Sequence, residues 1–144
     1  MELQTSRFGK LTITDNEIYI FAQGLPGFEE HKSFIVIAPE DDHPFAFLQS
    51  TEDEKLSFII TDPFLFFPDY DFEIPESALV ELEIAEVDQV VVRSILSVRD
   101  GLETATINLV APVIINLDNH KGKQVVLGGS TYTTRHELID AKNR

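Results

Sequence analysis

Phe45-Ala46-Phe47-Leu48-Gln49-Ser50, Thr51-Glu52-Asp53-Glu54-Lys55 and Leu56-Ser57-Phe58-Ile59-Ile60 follow one another without a break. Two β-prone runs flank one charged connector, which is the pattern of a hairpin. The same short period continues outward in both directions. Upstream, Phe34-Ile35-Val36-Ile37 is an apolar run ending at Pro39. Before it, residues 11–14 alternate and residues 18–21 form a β-prone run, with Asp15-Asn16-Glu17 between them as a turn candidate and a first hairpin. Downstream, residues 79–84 alternate, with Glu81 and Glu83 on one face and Leu82 and Ile84 on the other. Residues 90–98 follow, closed by Asp100-Gly101, then 104–109, 113–115 and 124–127, with Tyr132-Thr133 as a last short candidate.

Eight to ten short strands at about ten-residue spacing indicate an all-β chain, a small antiparallel barrel or sandwich. The connections look too short for the crossover helices that parallel pairing requires. Helix signals are few. Pro75-Glu76-Ser77-Ala78 can make one turn, because proline is tolerated at a helix start. Residues 85–89 can make another, and the tail 135–144 carries helix formers. No internal repeat or Ser/Gly-rich linker is visible, so residues 1–144 read as one domain.

With 144 residues the chain is long enough to hold a core without disulfides or metal, and 43% of it is apolar. Eleven phenylalanines and no tryptophan point to an aromatic core. The absence of cysteine excludes thiol catalysis and cysteine-ligated zinc. The opening Met1-Glu2-Leu3-Gln4 lacks the basic, then apolar, pattern of a secretory signal, and no run reaches the ~18 apolar residues of a membrane helix. These readings suggest a cytoplasmic protein.

The net charge is −14, and it is unevenly placed. Residues 56–92 hold nine acids and no Lys or Arg, whereas residues 93–144 carry seven bases against five acids. Such a surface repels a polyanion, so direct nucleic-acid binding is disfavoured, as is an anionic membrane. It attracts a basic protein partner.

Motifs for catalysis are missing. Histidines 31, 43, 120 and 136 form no HxH or HExxH spacing and read as isolated surface side chains. There is no GxSxG elbow and no P-loop; Gly128-Gly129-Ser130 reads as a tight turn, and Gly24-Leu25-Pro26-Gly27 lacks a dinucleotide-binding context. Glu40-Asp41-Asp42 and Glu52-Asp53-Glu54 lack the spaced ligands and glycine of a calcium loop and read as solvated acidic loops. No cofactor or metal is expected. A carboxylate hydrolase in a small barrel stays open by residue type, although nothing singles out a pair.

Two segments stand out. In 24–30, two glycines around a proline favour a fixed turn, with Phe28 as a plug for the core beneath. In 64–75, five aromatics, two prolines and three acids coincide inside the base-free zone. The prolines forbid a continuous central strand. If extended, this segment places Asp69, Asp71 and Glu73 on one side and Tyr70, Phe72 and Ile74 on the other. That pattern suits an edge strand on the core, and equally a docking rim of aromatic anchors beside acids. Asp69, Tyr70, Asp71, Phe72 and Glu73 are therefore the candidate partner-binding residues.

At these residues the sequence resembles the flagellar assembly factor FliW family of bacteria. The matching runs are GLPGFEEHKSF at 24–34, PFAFLQS at 44–50, LSFIITDPFLFFPDY at 56–70, TINLVAPVIIN at 106–116 and GKQVVL at 122–127, followed by Tyr132. The resemblance implies a small β-barrel-like cytoplasmic protein without enzymatic activity, a chaperone-like factor for the filament protein. It also implies two partners, flagellin and the RNA-binding regulator CsrA. In that scheme the protein holds CsrA off the flagellin messenger until new flagellin competes for it. An acidic nucleic-acid mimic that fills CsrA's basic groove directly is the rival reading of the same charge.

Overall fold

In the computed structural model, which describes residues 2–38, 44–98, 104–128 and 131–138, the 45–60 stretch forms the expected hairpin. Phe45 lies opposite Thr61 and Gln49 opposite Ser57. Alternation sorts its side chains between two faces. Leu48 and Ile60 enter one buried cluster with Phe21, Leu25, Phe34, Val113 and Ile115. Phe45 and Ile59 pack on the opposite face, against a second cluster around Phe66 and Tyr70.

The described residues form eleven strands: β1 (Glu2–Thr5), β2 (Gly9–Thr12), β3 (Ile18–Ile20), β4 (Ser33–Ile37), β5 (Phe45–Ser50), β6 (Ser57–Thr61), β7 (Val90–Ser97), β8 (Thr106–Ile107), β9 (Val113–Asn116), β10 (Lys121–Gln124) and β11 (His136–Glu137). One short helix, α1 (Glu76–Glu81), and three 3-10 turns complete them. Strands β7, β6, β5, β4, β3, β10 and β9 pair in that order, and β9 pairs back onto β7, closing a seven-stranded barrel. Closure removes the free edges that an open sheet presents, except along the part of β7 that β6 does not reach. The pairs are antiparallel except β10 on β3, where Lys121 lies opposite Ile20.

Four strand expectations are corrected. The first hairpin is β1 with β2, Leu3 opposite Leu11, not residues 11–14 with 18–21. Asp15–Glu17 is a 3-10 turn that carries the chain from β2 into the barrel. The hairpin lies on the outer barrel wall, where Leu3 and Ile13 bury Ile35 of β4. Residues 79–84 are not a strand: 76–81 are helical behind Pro75, and Ala78 and Leu82, one helical turn apart, are both buried. Six residues are too few to separate period 2 from period 3.6. Glu83 then takes a left-handed φ of 56°, and the Glu83 and Ile84 N–H groups return to the carbonyls of Val80 and Leu79. This is the Schellman helix ending with glutamate in the usual glycine position. Finally, the strand placed at 124–127 is β10, three residues earlier, and 132–133 lie outside any strand.

Phe28 is not the plug. It is 39% exposed, edge-on to Phe58, and Leu25 is the buried residue of that turn. Glu52 of the acidic connector accepts the Lys32 and Ser33 N–H groups at 2.8 and 3.0 Å, so its carboxylate ties the loop to β4. His120 is half-buried and stacks on Tyr19 at 4.7 Å. Pro39, Glu40-Asp41-Asp42, His43, Asp100-Gly101, Gly129-Ser130 and the tail beyond 138 lie outside the described residues. Among those described, no helix is long and apolar enough to cross a membrane.

Packing inside the barrel is tight at one point that only glycine satisfies. A Cβ on Gly122 of β10 would sit 2.5 Å from the Phe21 ring. Gly122→Ala is expected to cost about 1–3 kcal/mol, because the overpacked ring has to move. Urea unfolding of the variant checks this.

Candidate partner-binding surface

The segment 62–75 is built from its prolines and aspartates. Asp62 precedes Pro63 and accepts the Phe64 N–H at 3.0 Å, capping the 3-10 turn Pro63–Leu65. The Phe67 N–H then returns to Pro63, and the Tyr70 N–H to Phe67, both at 2.9 Å. From Tyr70 to Pro75 the chain lies in no helix or strand and joins no ladder. It runs as an irregular ridge into α1.

The side chains on this ridge divide as the alternation implies. Asp69, Asp71 and Glu73 are exposed, Phe72 and Ile74 are half-buried, and Tyr70 is 5% exposed. All five candidate residues are thus on one continuous segment. Tyr70 itself faces the interior, where its hydroxyl donates to the Leu109 carbonyl at 2.7 Å. Its ring meets Tyr132 edge-on at 4.8 Å and Phe72 at 5.1 Å. The Tyr132 hydroxyl accepts the Asp71 N–H at 3.1 Å, which fixes the ridge from below. Phe72 belongs to two adjoining cores, one around Leu96 and Ile107 and one around Ala78 and Ile114. The carboxylates are therefore presented outward from a rigid aromatic base.

Burial, with Tyr132 beside it, holds the Tyr70 phenol well above its ordinary range. Burial also lowers His136, whose Nε2 accepts the Thr133 N–H at 2.8 Å and whose ring lies edge-on to Phe67. The two effects have opposite pH signs. The folded state keeps the Tyr70 proton that the unfolded chain releases, so stability falls as pH rises beyond about 10. The folded state resists a proton on His136 that the unfolded chain accepts, so stability falls as pH drops below about 6.5. Tyr70→Phe leaves the Leu109 carbonyl without this donor and is expected to cost about 1–3 kcal/mol. It also removes part of the alkaline loss. Urea titrations at pH 5, 7 and 10.5 read all three effects.

The ridge separates two concavities. One, of about 410 Å³, lies between it and β7 and is lined by Asp62, Phe64, Phe72, Val87 and residues 90–93. The other, of about 630 Å³, lies toward α1 and is lined by Glu73, Pro75, Glu76 and Leu79. Asp71, Phe72 and Ile74 border both. None of Asp69, Asp71 and Glu73 forms a salt bridge among the described residues; the ion pairs lie elsewhere, such as Glu81 with Lys123 at 2.9 Å. Among the described residues Arg93 is the one cation lining the first concavity, and its guanidinium donates to the Val92 carbonyl at 2.8 Å.

Sequence reasoning missed the apolar side of this surface. Val87 is 87% exposed, Leu65 62% and Phe64 41%, beside the acidic ridge. The double proline and the absence of Lys and Arg over 56–92 were the available signals; that residues 87–93 would lie against 62–74 was not legible. No Asp or Glu is buried among the described residues, which leaves a paired carboxylate site without a candidate there. No group of three His, Asp or Glu among them could hold a metal ion.

The comparisons with known proteins agree with one another. The family model described as FliW protein matches residues 2–138. The chain is 41% identical to the flagellar assembly factor FliW of Bacillus subtilis (strain 168), covering 96% of each protein. It is 42% identical to that of Alkaliphilus metalliredigens (strain QYMF), covering 97% of this chain and 87% of that one. A crystal structure of the flagellar assembly factor FliW superposes with a TM-score of 0.89 at 36% identity, covering 96% of each chain. Sequence and barrel topology thus lead to one assignment: the chain belongs to the FliW family of flagellar assembly factors.

Proposed function

We propose that this protein is a non-enzymatic, cytoplasmic partner-binding regulator, one FliW-like domain over 1–144, that binds flagellin and antagonises CsrA. While bound to it, CsrA is kept off the flagellin messenger. Free flagellin competes for the protein and releases CsrA, so flagellin translation falls until export removes the excess. The observation that carries the reading is the ridge: Asp69, Asp71 and Glu73 are exposed and form no salt bridge among the described residues, on a base fixed by Tyr70 and Phe72. Three adjacent carboxylates of this kind attract a basic surface and steer its approach. Tyr70 acts from beneath, holding the ridge in place, and Phe72 offers its half-exposed edge.

Acidity alone also suits a mimic that occupies the RNA groove. The two mechanisms separate in a titration of a labelled flagellin-messenger leader bound to CsrA. An antagonist bound beside the groove forms at least a transient ternary complex before the RNA leaves, as expected here. Simple one-site competition without that species supports the mimic instead. No release of RNA at any concentration removes the antagonist role.

A further inference from the structure

One edge of β7 is left unpaired where the barrel changes partners. Residues 94–96 of β7 pair with β6, and residues 90–93 pair with β9 on the other side. The Gln89 carbonyl accepts from Leu117, next to β9, and the Ile95 carbonyl accepts from Asn108, next to β8. Backbone groups alternate between the two edges of a strand. Gln89, Val91, Arg93 and Ile95 therefore serve the β8 and β9 side, and Val90 and Val92 point to the other. There β6 has ended at Thr61, and the chain turns away through Pro63–Leu65. Pro63 lacks the N–H that could extend this ladder. The Val90 N–H returns to the Val87 carbonyl, and Arg93 covers the Val92 carbonyl. The Val92 N–H and the Val90 carbonyl have no protein partner among the described residues.

This edge forms a wall of the concavity of about 410 Å³, whose other lining includes Phe64, Phe72 and Val87. Asp62 and Asp71 border it as well. We propose that the Val90 and Val92 edge is a strand-addition site for an extended segment of a partner protein in which apolar residues alternate with Lys or Arg. The backbone bonds to β7, the apolar side chains enter between Phe64, Phe72 and Val87, and the basic ones meet Asp62 and Asp71. Arg93 yields the Val92 carbonyl to the incoming N–H, so it caps an edge that would otherwise stand open. A second copy of this chain is a poor occupant, because two chains of net charge −14 repel. The proposal rests on reading the ridge as a partner face, and gives one partner a binding mode.

The test uses the full chain and an acetylated seven-residue peptide alternating Lys and Val. Amide hydrogen exchange is followed by NMR. The peptide is expected to bind at low salt and to slow exchange of the Val92 amide. N-methylating alternate peptide residues keeps the charge and removes ladder donors, and is expected to weaken binding about tenfold or more. The Glu–Val analogue should not bind, and Arg93→Ala should tighten the Lys–Val peptide about threefold. Equal binding of the N-methylated peptide, unchanged Val92 exchange in the bound state, or no binding overturns strand addition. Protection of Val92 in a dimer of the free protein assigns the edge to a second copy and equally overturns it. If the peptide fails while charge reversal on the ridge still abolishes CsrA binding, the ridge stands and only the strand site falls. If the peptide binds and CsrA and flagellin do not, the functional reading is the one that fails.

Discussion

Replacing Asp69, Asp71 and Glu73 together by Lys is expected to weaken CsrA binding by about 100-fold, equivalent to roughly 2.7 kcal/mol. The size follows from converting three attractive rim charges into three repulsive ones, each exposed pair being worth about 0.2–1 kcal/mol before the sign is reversed. All three side chains are exposed and none forms a salt bridge among the described residues, so the fold should tolerate the change. The salt dependence distinguishes this from a packing effect. Wild-type affinity should fall as ionic strength rises and the Debye length shrinks to about 8 Å near 0.15 M, whereas the triple variant should respond little. Titration calorimetry at three salt concentrations, with circular dichroism as a folding control, provides the comparison. A folded triple variant with unchanged affinity removes the ridge from the interface.

The largest expected loss of stability comes from Phe34→Ala. Phe34 is fully buried in the barrel, edge-on to Phe21 at 5.3 Å and tilted against Phe58 at 6.3 Å. Truncation leaves a cavity walled by strands whose pairing closes on itself, so the site collapses poorly. The cost is expected to be about 3–5 kcal/mol. That is a large share of the roughly 5–15 kcal/mol a domain of this kind has. The urea midpoint should fall sharply with an unchanged slope. A loss below about 1 kcal/mol would mean that the barrel interior repacks freely, contrary to the close fit of Phe21 against Gly122.

The parts of the fold legible in the sequence share a physical basis. The β5 and β6 hairpin could be read because two β-prone runs flank a short charged connector, and the outward carboxylates of 69–73 because the polar and apolar residues alternate there and their burial alternates with them. Closure of the barrel was not legible. It depends on β10 joining β3 in parallel about a hundred residues away, and on β7 dividing its length between β6 and β9. Neither pairing has a local signature. The β1 strand escaped notice because Glu2–Thr5 carries few β-prone residues and gains its place by covering Ile35. The helix start behind Pro75 was legible, but its continuation to Glu81 was hidden because residues 79–84 alternate in sequence, whereas the fold buries Ala78 and Leu82 one turn apart. Tyr70 illustrates the same limit at the candidate site. Alternation put it opposite the acids, but the groups that hold it, the Leu109 carbonyl and the Tyr132 ring, lie far along the chain and have no local signature.

The most direct measurement is a titration of the purified protein against CsrA, repeated with flagellin added. The expected result is binding to CsrA that flagellin reverses. A CsrA complex that persists at saturating flagellin contradicts partner exchange, and absence of binding to both at low salt contradicts the functional reading as a whole.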